Sequence, residues 1–216
     1  MGDCKVDASI SVRNLGVIFD DTMSMKPQVN SIIRQTNYQL RSIGRIRNFL
    51  NFDACSSVIH ASISSRLDYC NSLLFGLPDN QIKRLQKVQN TAARILTRTG
   101  KYDHISHALK TLHWLPVNKR IEYKIHLLTY KCLNGEAPEY LAELLTLYQP
   151  TRTLRSADRQ MLTVPKTRLK TYGDRAFAKS APMLWNALPI DVKSASSLSA
   201  FKSALKRHLF NVAYNE

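Results

Sequence analysis

Two adjacent carboxylates, Asp20 and Asp21, follow the apolar run Leu15-Gly16-Val17-Ile18-Phe19. A strand ending in F-D-D has the residue types for two-metal phosphoryl transfer. That chemistry sets carboxylates around two cations about 4 Å apart and recruits a further acid from a separate strand. Only Asp3 and Asp7 stand nearby, and no second metal-binding motif accompanies them. The pair therefore reads as a polar turn closing a strand. His104, His107 and His113 fall close together, but no Cys, Asp or Glu completes a ligand spacing, so they read as structural or surface residues. The chain has no His-x-Asp, no G-x-S-x-G, no phosphate loop and no G-x-G-x-x-G. With seven glycines it has little material for a nucleotide-cradling loop. No catalytic residue, metal or cofactor is expected.

The residues that remain chemically suggestive are cations. On a helical wheel, Ile82, Leu85, Val88, Gln89, Ala92, Ile95 and Leu96 gather on one side, and Lys83, Lys87, Arg94 and Arg98 on roughly the opposite one. Such a stripe is either a solvated face or a phosphate-binding one. Lys119, Arg120 and Lys124 sit outward on a later helical stretch. Further on, Lys166, Arg168, Lys170 and Arg175 surround Tyr172 and Phe177. Cations alternating with aromatics suit phosphate contact and base stacking, whereas Phe177, Leu184 and Trp185 at helical spacing equally suit core anchors.

Charge distribution favours the phosphate reading. The formal net charge is +15, spread as +1 over residues 1–80, +9 over 81–131, −3 over 132–149 and +8 over 150–216. Two basic blocks favour a polyanion over mere solubility. An anionic membrane surface fits less well because no Trp/Phe-rich face accompanies the charge. No run of about 18 apolar residues is present to span a bilayer, and Met1–Val12 lacks the apolar region of a signal peptide. The four cysteines, Cys4, Cys55, Cys70 and Cys132, form no C-x-x-C pair. That points to reduced thiols in an intracellular protein of nucleus or cytoplasm.

The elements that must position these residues are mostly helical. Residues 5–19 read as extended, with Ala8–Val12 alternating and Leu15–Phe19 apolar. Lys26–Phe49 carries Val29, Ile32, Ile33, Leu40, Ile43 and Ile46 inward, with Arg34, Arg41, Arg45 and Arg47 outward. Residues 52–66 give a helix with Asp53 as candidate cap and Val58, Ile59, Ala61, Ile63 and Leu67 inward. Asp79 or Asn80 is the candidate cap of the basic helix, and Asp103 or Ser106 that of a short one through Leu112. Pro116 opens a helix over 117–133 with Ile121, Ile125, Leu128 and Cys132 inward, and Pro138 opens another through Leu147. Residues 148–171 are irregular, with at most a short strand at Met161–Val164. Helices over 176–187 and from Ser197 or Ser199 through Asn211 close the chain, the last with Leu198, Phe201, Leu205 and Leu209 inward. The expected fold class is mainly α, a helical bundle with a small β element at the N-terminus and an irregular basic arm before the C-terminal helices.

The segments RNLGVIFDD, SSRLDYCNSLLFGLP, IKRLQKVQNTAARI, LHWLPVNKRIEYKI, CLNGEAPEYL, LRSAD, VPKTRLKTYGDRAFAKSAPMLWNALP and SLSAFKSALKRHLF together resemble the C-terminal region of the reverse transcriptase of LINE-type (jockey-like, non-LTR) retrotransposons. The resemblance runs in unbroken order over nearly the whole chain. It implies that residues 1–22 correspond to the end of the palm, 23–147 to a thumb-like bundle and 148–216 to a basic extension. In that family the catalytic palm carboxylates lie upstream of the LGV strand, so none is carried onto this sequence.

The expectation is thus a non-catalytic, thumb-like piece of an RNA-directed DNA polymerase that grips RNA or DNA through its backbone. Lys83, Lys87, Arg94, Arg98, Lys119, Lys124, Lys166, Arg168, Lys170 and Arg175 would make the phosphate contacts, with no membrane and no small-molecule substrate. The alternative is a helical protein-interaction module whose charge meets an acidic protein. The sequence leaves the oligomeric state open.

Overall fold

The basic helix runs from Asp79 to Thr97 (α4) in a computed structural model of the chain, which describes residues 9–149 and 160–214. Asp3 and Asp7, Cys4 and the LRSAD segment lie outside the described residues. Along α4, Gln81, Leu85, Val88, Gln89, Ala92, Ala93 and Leu96 are buried, the stripe that a 3.6-residue period produces. The expected side-chain cap is absent. Pro78 occupies that position, and its carbonyl accepts from the N–H groups of Gln81 and Ile82, so Asp79 and Asn80 are already helical.

α4 packs on α1 (Lys26–Ile46), which buries Val29, Ile32, Leu40 and Ile43 together with Gln28 and Thr36. Ile46, expected inward, is exposed, because α1 gives way there to a 3-10 turn at Arg47–Phe49. Arg47, expected outward, turns inward. Its Nε donates to the Ile95 carbonyl at 2.8 Å, its Nη2 to that of Leu96 at 2.9 Å and its Nη1 to that of Leu50 at 2.8 Å. The last carbonyls of a helix have no partner of their own, and a planar guanidinium can serve several at once.

Before α1 stands a two-stranded antiparallel hairpin, β1 (Ser11–Asn14) and β2 (Val17–Asp20), with Ser11 opposite Asp20 and Asn14 opposite Val17. Leu15 and Gly16, expected within a strand, form its turn, both at positive φ. That backbone matches the twist of a two-residue hairpin, and glycine adopts it freely.

Asp20 fixes the entry into α1. Its Oδ1 accepts from the Met25 N–H at 2.7 Å and its Oδ2 from the Ser24 N–H at 2.8 Å and the Thr22 hydroxyl at 2.7 Å. Burial opposes ionisation, but the hydrogen bonds from Thr22, Ser24 and Met25 prevail and hold the carboxyl down to about 2. The unfolded chain titrates near about 3.9, so this stabilisation is complete above that pH and is lost as pH falls towards 2. Asp20→Asn should lower the urea midpoint at pH 6. The gap to the parent protein should narrow steadily between pH 4 and 2; a gap independent of pH would contradict the role of the charge.

α2 (Phe52–Ile59) passes through a π turn at His60–Ser64 into α3 (Ser65–Asp68). Asn51, not Asp53, caps α2, its Oδ1 accepting from the Ala54 N–H at 2.8 Å. Ile59, Ile63 and Leu67 stay buried at spacings of four, while Ala61, halfway between the first two, is exposed. A short α5 (Ile105–Thr111) follows α4. Its expected caps are not used, since Asp103 instead accepts from the Gly100 N–H.

α6 (Val117–Leu133) lies between two cores. Val117, Ile121 and Ile125 join the larger one with α1–α5, while Tyr130 joins a second with Leu162, Trp185, Phe201, Leu205 and Leu209. Leu128, expected inward, is half-buried. The helix expected from Pro138 through Leu147 stops early, as α7 (Glu139–Ala142). Leu147 instead bridges Leu162 in antiparallel fashion, which is the short extended contact expected near Met161–Val164. α8 (Lys170–Gly173), α9 (Phe177–Ala187), α10 (Ile190–Lys193) and α11 (Leu198–Tyr214) complete the chain. α9 and α11 both pack on α6. In the second core the Phe201 ring stacks on Tyr130 at 4.2 Å between centroids and tilts against Trp185 at 6.0 Å. The fold is mainly helical, with one small N-terminal sheet.

Candidate nucleic-acid interface

α1 and α4 run in the same direction. Near their N-termini Arg84 Nη2 donates to Asn30 Oδ1 at 2.7 Å, and near their C-termini Arg47 reaches the Ile95 and Leu96 carbonyls. The outer side of the pair is strongly cationic. On α1, Arg34, Arg41 and Arg45 are exposed at spacings of seven and four, which keeps them on one face. On α4, Arg84 and Lys87 are exposed three residues apart, and the exposed Arg98 follows as its left-handed C-cap. No acidic residue occurs between Asp21 and Asp53, and Asp79 is the single acid within α4. From Arg84 to Thr97, the last residue of α4, the helix rises about 20 Å at about 1.5 Å per residue. That length covers the rise of about six phosphates along one strand at about 3.4 Å each.

The ten cations singled out from the sequence do not share this face. Lys87 and Arg98 lie on it. Lys83 lines the groove between α4, α5 and α6 with Ile82, Ile105 and Tyr214. Arg94 folds back, donating to the carbonyls of Gly100 and, at 2.9 Å, Asp103. Lys119 is paired with Glu122 on α6 at 2.9 Å, and Lys124 is exposed farther along that helix. Lys166 and Arg168 are exposed ahead of α8, and Lys170 begins it. Arg175 is a structural clamp, donating to the carbonyls of Met23 at 2.8 Å, Phe75 at 3.1 Å and Leu73 at 3.4 Å. It ties the C-terminal segment to the hairpin exit and to the stretch after α3.

The aromatics of this C-terminal block are core residues. Trp185 is 1% exposed and donates from Nε1 to the Gln160 carbonyl at 2.9 Å, and Phe177 packs against the larger core. Tyr172 is exposed but donates its hydroxyl to the Thr22 carbonyl at 3.0 Å. Base stacking in this block is therefore limited to Tyr172. Arg34, Arg41, Arg45 and Arg84 are absent from the ten, although the acid-free stretch from Thr22 to Phe52 with arginines at helical spacing pointed to three of them.

His104, His107 and His113 are exposed, and among the described residues no group of three or more His, Cys, Asp or Glu side chains is placed to hold a metal ion. His126 is buried on α6; desolvation, assisted by the charges of His208, Lys119 and Lys193, holds it down to about 3 and so neutral. Among the described residues no helix is long and apolar enough to cross a membrane. No family model, no curated protein and no solved structure matches this chain.

Proposed function

We propose that the chain is a thumb-like helical module that holds RNA or DNA by its phosphate backbone, independently of sequence, and carries no polymerase chemistry of its own. The observation that supports this reading is the acid-free outer side of the parallel α1–α4 pair, which presents Arg34, Arg41, Arg45, Lys87 and Arg98, while Arg84 is held by Asn30 and Gln81. The two helices are joined by buried packing and by Arg47 and Arg84, so the cations are presented on a rigid frame. Five contacts would give a log–log slope of affinity against salt of about −4.5, at about −0.9 for each phosphate neutralised on duplex DNA.

Fluorescence anisotropy with duplexes of unrelated sequence, between 50 and 300 mM salt, tests it. Equal affinities with a steep slope are expected, and a flat salt dependence would refute the reading. At the end of β2 the Asp20 carboxylate is engaged in structure, accepting from Thr22, Ser24 and Met25. A primer–template incubated with the protein, Mg²⁺ and nucleotides should therefore remain unextended.

A further inference from the structure

We infer that the outermost row of α1 is a track for an unpaired nucleic-acid strand. Its arginines hold phosphates while Tyr38 and Phe49 stack on bases. The inference rests on the proposed backbone grip and narrows it, naming the form of nucleic acid that this row takes.

The row follows from helical spacing. Arg34, Tyr38, Arg41 and Arg45 stand four, three and four residues apart, the spacings that set side chains above one another on one face. That face lies opposite the buried one, which carries Val29, Ile32, Thr36, Leu40 and Ile43. Phe49 follows four residues after Arg45, on the 3-10 turn that ends the helix. Cations and aromatics thus interleave, and Arg34 to Arg45 span about 17 Å at about 1.5 Å per residue.

The rings set this row apart from a plain basic stripe. Tyr38 is 68% exposed and Phe49 89%. Neither packs against either core, and among the described residues neither ring meets another ring or a cation. A lone exposed aromatic is ordinary on a protein surface. Tyr102 and Tyr140, also exposed, stand next to Asp103 and Glu139. Tyr38 and Phe49 instead lie in a stretch with no acid between Asp21 and Asp53, with three arginines on the same row.

The rings also separate an unpaired strand from a duplex. In a duplex each base face is covered by its neighbours in the stack, so Tyr38 and Phe49 would meet only the charged backbone. An unpaired strand can turn its bases out, and an aromatic ring stacks on any of them because every base has a π-face. The arginines between the rings then neutralise the phosphates that link the stacked bases. Stacking of this kind tolerates any sequence, in keeping with a sequence-independent grip.

Fluorescence anisotropy on the full chain, at one salt concentration, tests the row. The probes are a single strand, the same strand paired with its complement, and a strand of equal length built of abasic sites. Tyr38→Leu/Phe49→Leu should weaken single-strand binding about a hundredfold, about tenfold for each stacked base, and leave duplex affinity as in the parent protein. The abasic strand, which puts the same question to the unaltered chain, should bind about as weakly as the intact strand binds that variant. Tyr102→Leu/Tyr140→Leu should bind both intact forms like the parent, whereas Arg34→Gln/Arg41→Gln should weaken both. Single-strand affinity unchanged in the Tyr38/Phe49 variant, an abasic strand bound as tightly as the intact one, or an equal loss on the duplex would overturn the track. Duplex binding would in each of these cases leave the backbone grip standing, and failure to bind any of the three probes would overturn both.

Discussion

Replacing Arg34, Arg41, Lys87 and Arg98 together by glutamine is expected to lower affinity for duplex DNA by about a thousandfold at 0.1 M salt. Each lost phosphate contact removes about 0.9 from the salt slope, so four remove between three and four decades relative to a 1 M reference. All four side chains are exposed, and surface changes of this kind alter stability by about 0.5 kcal/mol or less each, so melting curves should stay close to the parent. A matched control neutralises Lys110, Lys166, Lys202 and Arg207, which are exposed elsewhere. Anisotropy should show the control losing about tenfold or less. Equal losses in the two variants would mean that affinity follows the overall charge of +15 and not the α1–α4 face.

Phe201→Ala should destabilise the protein by about 3–5 kcal/mol, the range for removing a buried aromatic. Phe201 is fully buried, stacked on Tyr130 of α6 and leaning on Trp185 of α9, so its removal opens a cavity where three helices meet. Typical domains are stable by about 5–15 kcal/mol, which makes this a large share of the total. Urea unfolding followed by tryptophan fluorescence measures it. A loss below about 1 kcal/mol would show that α11 is attached only loosely to the bundle.

Where the apolar residues of a helix keep to one side, periodicity located its buried side well. The buried stripe of α4 contains Leu85, Val88, Gln89, Ala92 and Leu96, and that of α11 contains Phe201, Leu205 and Leu209, as their spacing predicted. α6 defeats the same reasoning because it has partners on two sides. His126, Thr129 and Tyr130 are buried along with Ile121 and Ile125, and a wheel that seeks one apolar face assigns the polar ones outward.

Capping also resisted sequence reasoning, since Asn51, which caps α2, stands two residues before the expected Asp53 and both residue types can accept from a first-turn N–H. The distinction between them rests on where the chain turns, which sequence spacing does not encode. Arginine is the other blind spot. Arg47, Arg94 and Arg175 look on a wheel or in a charge count like Arg34 or Arg98, yet each spends its guanidinium on backbone carbonyls of another segment. The candidate face became visible only when α1 was found alongside α4, because the residues that complete it are about fifty positions away in the chain.

The common direction of α1 and α4 has an electrostatic consequence of its own. Each helix carries a macrodipole equivalent to about half a positive charge at its N-terminus and half a negative charge at its C-terminus. Antiparallel neighbours cancel these fields, whereas this pair adds them. Near Ile95 and Leu96 two negative helix ends coincide, and Arg47 is drawn into them. The field of Arg45 and Arg98 at that end is partly offset by the same carbonyls, while at the opposite end the helix termini reinforce Lys26 and Arg84. On the proposed function, the pull on a polyanion would thus be graded along the ridge, strongest near the start of both helices, giving the surface a polarity.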